Sequence, residues 1–518
     1  LKNKIWAGTE VYVNLRAGFW RIFFVAFKTR GGCAAICMVN CLSPLAIAKV
    51  DFKSRFSQTA RYWLEDNRLR HQTTELSLRQ VSDVREGLTT VVDGRFRYEA
   101  AILPFRSSRL REYPRPVQDD EGFESEARQV YLDWLTDFAA IKVGLVQFDW
   151  MDSLSPRTSD SITALDLRHG GFDSPSQIIE PVFAISGNFS VGFGSLELMV
   201  VPQGKAHRLP KGANGYGYGE RVSALLGGVT RALQQAGLRG EIDAQRQSPA
   251  IPAGGKDMEA GGRFLASLAG IDLSLIAWRG HQRTPSLDVS LYDSPEASAT
   301  NPDWVLAASE RHVGMNTFAA FGSYGGDAAV YRLFVIREPG RQPAVMVEDD
   351  LAWTLVGQLP EDSATATGES LFGDEAYRRG AILDRTRIGA GFDYVFSKHL
   401  KLYSEAYATS SRVTGHTLGG QGVEDTWRDH TATLRLTNES FEDLFLSCDI
   451  TMTGPERSWL VSPDVSYEWR EGVKSANAGA RSWKLSFGGW LVQSESDKSA
   501  LRMLRGARQV YARLSAWL

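Results

Sequence analysis

Hydrophobic and polar residues alternate along most of this chain with a period of two. Over residues 128–150, Val130, Leu132 and Trp134 alternate with Gln129, Tyr131 and Asp133. After a short Thr136-Asp137-Phe138 break, Ile141, Val143 and Leu145 alternate with Lys142 and Gly144. Successive strand residues point to opposite faces, so this stretch predicts a β-hairpin with one apolar and one polar side. The same unit recurs from Lys49 onward. Phe52, Phe56 and Ala60 alternate with Lys53, Arg55 and Arg61; Val92, Phe96 and Tyr98 with Asp93, Arg95 and Arg97; Leu196, Leu198 and Val200 with Glu197; Tyr331, Leu333 and Val335 with Arg332. The alternation reaches the last residues, where Val510, Ala512, Leu514, Ala516 and Leu518 keep it. A soluble antiparallel sheet shows such a pattern once or twice. Its persistence predicts an all-β chain forming a single transmembrane antiparallel β-barrel, apolar positions outward and polar positions inward.

The connections give the strands a direction. Tight turns expected at Gly187-Asn188, Ala269-Gly270, Tyr324-Gly325-Gly326 and Ser397-Lys398-His399 alternate with connections of tens of residues. That is the pattern of short periplasmic turns and long extracellular loops. Walking the chain on this rule places wall strands near 50–63, 73–81, 88–103, 128–136, 140–148, 179–186, 189–202, 257–268 and 271–279. Further strands fall near 311–323, 327–337, 385–396, 400–409, 429–437, 443–452, 461–469, 481–492 and 508–518. The total is about eighteen, with about sixteen or twenty as the alternatives one hairpin away, even as such barrels require. Residues 345–357 are left out of the wall, because including them would make the number odd and put the Ser397 turn on the long-loop side. Residues 338–384 are therefore read as one outside loop with room for a hairpin. In the 203–256 connection, Val222, Leu225, Val229 and Leu233 recur at helical spacing and predict a short amphipathic helix. That loop is read as a surface cap, with a pore-folded constriction as the sharper alternative.

Composition fits this picture. The chain has 518 residues, 49 of them Gly, and is 11% aromatic, while its net charge of −3 gives no global basic field for nucleic acid. Residues 1–48 carry Lys2, Lys4, Arg16, Arg21, Lys28 and Arg30 and then an almost uncharged run ending at Ala46-Ile47-Ala48, which reads as a cleavable export signal. The alternatives are an anchor helix, which Pro44 argues against, and a lipoprotein cysteine, for which no Leu-small-small-Cys pattern is present. The expected division is 1–48 signal and 49–518 barrel. Cleavage would leave Cys448 as the lone cysteine, so no intrachain disulfide is expected.

Chemistry-bearing motifs are sparse. There is no HExxH, GxSxG or CxxC, and the eight histidines show no ligand spacing, so neither enzyme activity nor a metal or other cofactor is expected. Gly192-Phe193-Gly194 sits in alternating context and reads as wall strand rather than a nucleotide loop. Chemistry then falls to the lumen, where Arg55, Arg95, Arg97, Asp133, Lys142, Gln147, Arg263 and Arg332 are the selectivity candidates. Basic residues exceed acidic ones at the inward positions, which favours anionic solutes. The competing reading is that opposite charges pair across neighbouring strands and satisfy one another. Asp160, Asp166 and Arg168 are candidates for an ion pair pinning the loop after Gln147.

Three runs carry a resemblance: Tyr131-Leu132-Asp133-Trp134, then Gly144-Leu145-Val146-Gln147-Phe148-Asp149-Trp150, then Asp160 through Asp166 to Arg168. They resemble a proteobacterial outer-membrane family of porin-like and alginate-exporter-like barrels, with Met151 where that family has Gly and Ala164 where it has Pro. Leu196–Pro202, Leu209-Pro210 and Gly261-Gly262-Arg263 are similar as well. The resemblance implies a bacterial outer-membrane channel passing small polar solutes by diffusion. The alternative is an export conduit for a polysaccharide or lipid. The implied partners are outer-membrane lipid, the barrel-assembly machinery and small solutes, with periplasmic export partners under the alternative.

Overall fold

The computed structural model describes residues 2–4, 10–13, 22–29, 32–39, 49–64, 68–101, 122–151, 162–166, 178–208, 240–245, 251, 257–293, 304–341, 345–347, 376–378, 381–416, 422–441, 443–454, 458–470, 482–493 and 508–517. Eighteen antiparallel strands close into one barrel. They are β1 Lys49–Trp63, β2 Arg68–Arg85, β3 Leu88–Ala101, β4 Gly122–Leu135, β5 Ala139–Val146 and β6 Val182–Val191. There follow β7 Gly194–Val201, β8 Glu259–Leu268, β9 Ile271–His281, β10 Gly314–Gly325, β11 Ala329–Arg341 and β12 Ile382–Val395. The last six are β13 Leu400–His416, β14 Gly422–Phe441, β15 Leu444–Gly454, β16 Ser458–Arg470, β17 Ser482–Gln493 and β18 Gln509–Trp517. Each strand pairs with its successor, and β18 pairs with β1 from Gln509↔Trp63 to Trp517↔Arg55. Closure leaves no sheet edge, which is why strands can cross a bilayer at all.

The two faces separate as the alternation predicts. Trp134, Leu333 and Ile388 stand 47%, 68% and 62% exposed on the outside, while Asp133 faces its register partner Lys142 on the inside. Phe138, Phe193, Tyr324 and Phe396 are exposed beside the short turns, an aromatic belt at one rim. Among the described residues no helix is long and apolar enough to cross a membrane. Crossing is by strands.

Two turn positions differ from expectation. Gly187 and Asn188 lie inside β6, opposite Leu198 and Glu197 of β7, and the hairpin turns instead at Gly192-Phe193, which the alternation had assigned to a strand. A two-residue hairpin turn needs positive φ, and it is Gly192 that supplies it at 53°. Residues 345–347 are a strand outside the wall. They belong to a second, five-stranded sheet built from Gly240–Gln245, Trp304–Arg311, Ser286–Asp293, Val345–Val347 and Ala376–Arg378, in that order. The two pieces from the 338–384 loop run parallel to each other, so they are not a hairpin. Three long connections thus share one sheet on the long-loop side. Residues 2–4, 10–13, 22–29 and 32–39 form a separate four-stranded sheet not hydrogen-bonded to the wall. The helix expected around Val222 to Leu233 lies outside the described residues.

Candidate pore constriction

One sector of the luminal wall, on β1 to β4, is densely charged. Two-residue spacing aims Arg95 and Arg97 of β3 inward, and the register sets Arg97 directly opposite Glu75 of β2. Glu75 accepts from Arg97 at 3.3 Å and from Arg55 at 3.1 Å, and Glu126 accepts from Arg95 at 2.6 Å. A bulge in β4 adds to this sector. Asp93 pairs with Gln129 but Gly94 with Ala127, so Arg128 is the extra residue. The insertion flips the phase of the strand. Glu124, Glu126 and Arg128 therefore share the inward face before it, while Val130, Leu132 and Trp134 are exposed after it.

Onto this wall folds the connection between β5 and β6. Asp166, 4% exposed, lies 3.7 Å from Arg97 and 4.0 Å from Arg95. Arg128 donates to the Ile179 carbonyl at 2.6 Å, as does the Gln147 amide at 2.6 Å. Leu165 bridges antiparallel to Ile179, and Asp166 bridges parallel to Arg208 of the next connection. Glu180 completes the group, 3.3 Å from Lys205 and 3.6 Å from Arg208. Burial raises its carboxyl above the ordinary value, and neighbouring Glu126 raises it further.

The opposite sector is apolar. Val182 and Ala184 of β6, Met199 and Val201 of β7, Ile276 and Trp278 of β9, Ala319 of β10 and Ile336 of β11 share the inward phase, and Phe148, Trp150, Met151 and Ile162 of the connection pack on them. Trp150 meets Trp278 edge-on with centroids 5.4 Å apart. The latch is Arg283. It donates twice to Glu259, at 2.7 Å each, twice to the Ile162 carbonyl at 2.8 and 2.5 Å, and once to the Lys205 carbonyl at 3.2 Å. Beside it, the Leu165 N–H donates to His207 Nδ1 at 3.0 Å. Burial, then the Arg283 charge, lowers the His207 ring to about 3, which keeps it neutral.

The eight lumen candidates do not form one site. Arg55, Arg95 and Arg97 converge on the constriction with Asp166. Asp133 and Lys142 pair at 3.8 Å near the short-turn end; Arg263 pairs with Glu197 at 3.0 Å and Arg332 with Asp393. Gln147 tethers the connection, accepting from Gln129 at 3.2 Å while donating to Ile179. Cross-strand pairing is thus what most inward charges do. Asp166 pins its loop, but against Arg95 and Arg97 of the wall; Asp160 and Arg168 lie outside the described residues. Glu126, Arg128, Glu180, Arg208, Glu259 and Arg283 were missed. The bulge hid the first two, while the others sit in or beside long connections without periodicity. The apolar sector did leave a signal: Val182-Phe183-Ala184-Ile185 and Leu198-Met199-Val200-Val201 are unbroken apolar runs, the mark of strands covered on both faces.

A closed wall of eighteen strands with an apolar exterior and a charged interior suits lipid outside and water inside. The chain folds as a transmembrane β-barrel. No protein-family model matches the chain, and no curated protein does. Among solved structures it is similar to Acinetobacter baumannii OccAB1 at 8% identity and TM-score 0.45, covering 91% of this chain and 96% of that one. It is similar to Pseudomonas aeruginosa OpdK with vanillate at 9% and 0.44, covering 90% and 97%. It is also similar to Salmonella typhi OmpF in complex with daunomycin at 9% and 0.39, covering 92% and 99%.

Proposed function

We propose that this barrel is a channel through which small polar solutes, anions in preference, diffuse across the outer membrane without cofactor or energy input. The observation that carries the reading is the charged constriction. A connection folds onto the luminal wall where the described cations Arg55, Arg79, Arg95, Arg97, Arg128, Lys205 and Arg208 outnumber the acids Glu75, Asp93, Glu124, Glu126, Asp166 and Glu180. A narrowed path with surplus positive charge lowers the barrier for anions and raises it for cations. The test is purified protein in a planar lipid bilayer under a potassium chloride gradient. Stable open conductance with a reversal potential favouring chloride is expected. A barrel that stays closed until a periplasmic partner is added, or one that passes potassium ahead of chloride, rejects the reading.

The constriction also sets a pH dependence. Glu180 takes up its proton at higher pH than an ordinary carboxylate, so acidification removes its negative charge from the constriction before ordinary carboxylates titrate. Anion preference is expected to strengthen as pH falls through that raised value. Glu180→Gln is expected to fix the channel in its acid behaviour, checked by reversal potentials across a pH series. A pH response in the variant equal to that of the natural protein would remove Glu180 from the account.

A further inference from the structure

At the loop-side end of β11 and β12, three guanidiniums converge on one carboxylate. Glu338 is fully buried. It accepts from Arg341 at 3.1 Å, from Arg387 at 3.2 Å and, at close range, from Arg385. The register explains the convergence. Glu338 lies directly opposite Arg385, and Ile336 opposite Arg387, so alternation puts all three charges on the luminal face. A bulge between Glu338 and Arg341 then inserts an extra residue, with Gly340 at φ 73° and its N–H held by Asp384 at 3.0 Å. That turn of the backbone brings Arg341 back onto the same carboxylate.

One carboxylate balances one guanidinium. Arg341 and Arg385 both engage Glu338, so two guanidiniums share one buried carboxylate, with Arg387 beside them. The Arg341 Nε–H is buried without a hydrogen-bond partner. The side chains of Arg341 and Arg385 nevertheless keep 14% and 23% of their surface exposed. Guanidinium forks match the oxygens of carboxylate and phosphate in two-point contacts, and here the forks are held in place before any solute arrives.

We propose that the Arg341–Arg385–Arg387 cluster, aligned by Glu338, is a docking site for a small dianion on the luminal face at the loop-side end of β11 and β12. The shared ligand chemistry is two negative charges on oxygens, as in inorganic phosphate or a short dicarboxylate. The inference rests on the reading of the lumen as an anion path, but it fails separately from it.

The experiment uses the full chain in planar bilayers, with chloride current recorded while inorganic phosphate or succinate is added on the loop side. In the natural protein the dianion is expected to reduce chloride current in a saturable manner. Arg341→Gln and Arg385→Gln are each expected to raise the half-blocking concentration about tenfold, the loss of one charge-assisted contact. Lys398→Gln, on a short turn at the opposite end, is expected to leave it unchanged. Should the arginine variants fail to assemble, Glu338→Gln decides. Removing the scaffold's own negative charge is expected to lower the half-blocking concentration, and an unchanged value overturns the proposal. Absence of saturable block in the natural protein also overturns it. Equal block by phosphate and succinate identifies a charge-selected dianion site, and block by phosphate alone a phosphoryl site. A channel that prefers potassium to chloride defeats the anion-path reading, whatever the titration shows.

Discussion

Arg283 and His207 act at the point where three connections meet inside the barrel. Arg283 is the side chain through which the wall grips the loop: its guanidinium ties Glu259 of β9's neighbour β8 to the carbonyls of Ile162 and Lys205. Arg283→Met keeps the length of the stem and removes every donor. Glu259, fully buried, would then lack its guanidinium partner, a loss that costs about 3–5 kcal/mol when a buried pair is broken. The expected outcome is faster proteolysis within residues 147–181 with the heat-modifiable gel mobility of the closed wall retained; an unchanged cleavage rate would count against the latch. His207 has a different consequence. Its Nδ1 accepts the Leu165 N–H, which only the neutral ring can do. The unfolded ring takes its proton near 6.5 and the folded one not until about 3, so between those values the unfolded state binds more protons. Stability from this contact is therefore full above about 6.5 and declines at about 1.4 kcal/mol per pH unit below it. Hydrogen exchange at the Leu165 amide should accelerate relative to wall amides as pH is lowered from neutrality to about 4, and constant protection over that range would sink the assignment.

At the scale of strands and turns, backbone conformation decides as much as side-chain chemistry. Ala269 and Gly270 join β8 to β9 with φ of 51° and 81°, the pair of positive angles that a type I′ turn demands. Glycine meets this at no cost, whereas alanine is held in the left-handed region at about 1–2 kcal/mol. Ala269→Asn is expected to recover about half of that or more, read as a higher urea midpoint in detergent-refolding titrations; a lower midpoint would contradict the turn geometry. The same turn shows what the sequence makes legible. A small residue followed by glycine at the junction of two alternating segments announces a hairpin, and most strands follow because lipid on one side and water on the other enforce the period of two. Asn188 is the exception that shows the limit: turn-forming residues were present, but Phe189 and Val191 continued the alternation and the positive φ fell at Gly192. The bulge at Arg128 is harder still. It inverts the phase within one strand, so a reading that begins after it sees Asp133 and misses Glu126, although both face inward.

For the whole molecule, the wall is encoded locally and the constriction is not. The Arg283 contact to Ile162 spans 121 positions and the Arg208 contact to Glu124 spans 84, and of these four residues only Glu124 lies in a wall strand. No spacing rule can join such residues; only the closed wall, by bringing β3, β4 and β8 around one lumen, sets them within reach. This division leads to a direct test of how wall and loop share function. Replacing residues 149–180 with a short glycine-serine linker removes Asp166 and Glu180 together with the aromatic packing of Trp150 on Trp278, but no wall hydrogen bond between β5 and β6. Barrel closure should therefore survive, since each strand keeps both neighbours. Two changes are expected in bilayer recordings. Single-channel conductance should rise, because the connection no longer fills part of the lumen, and chloride preference should increase, because the acids leave while Arg95, Arg97 and Arg128 stay. The second change is the more discriminating. A merely structural plug would enlarge the pore and weaken its charge selection, as a wider channel screens its walls with more salt. Higher conductance with sharper anion preference thus assigns the loop acids a part in tuning selectivity, and higher conductance with weaker preference leaves the loop as filling alone.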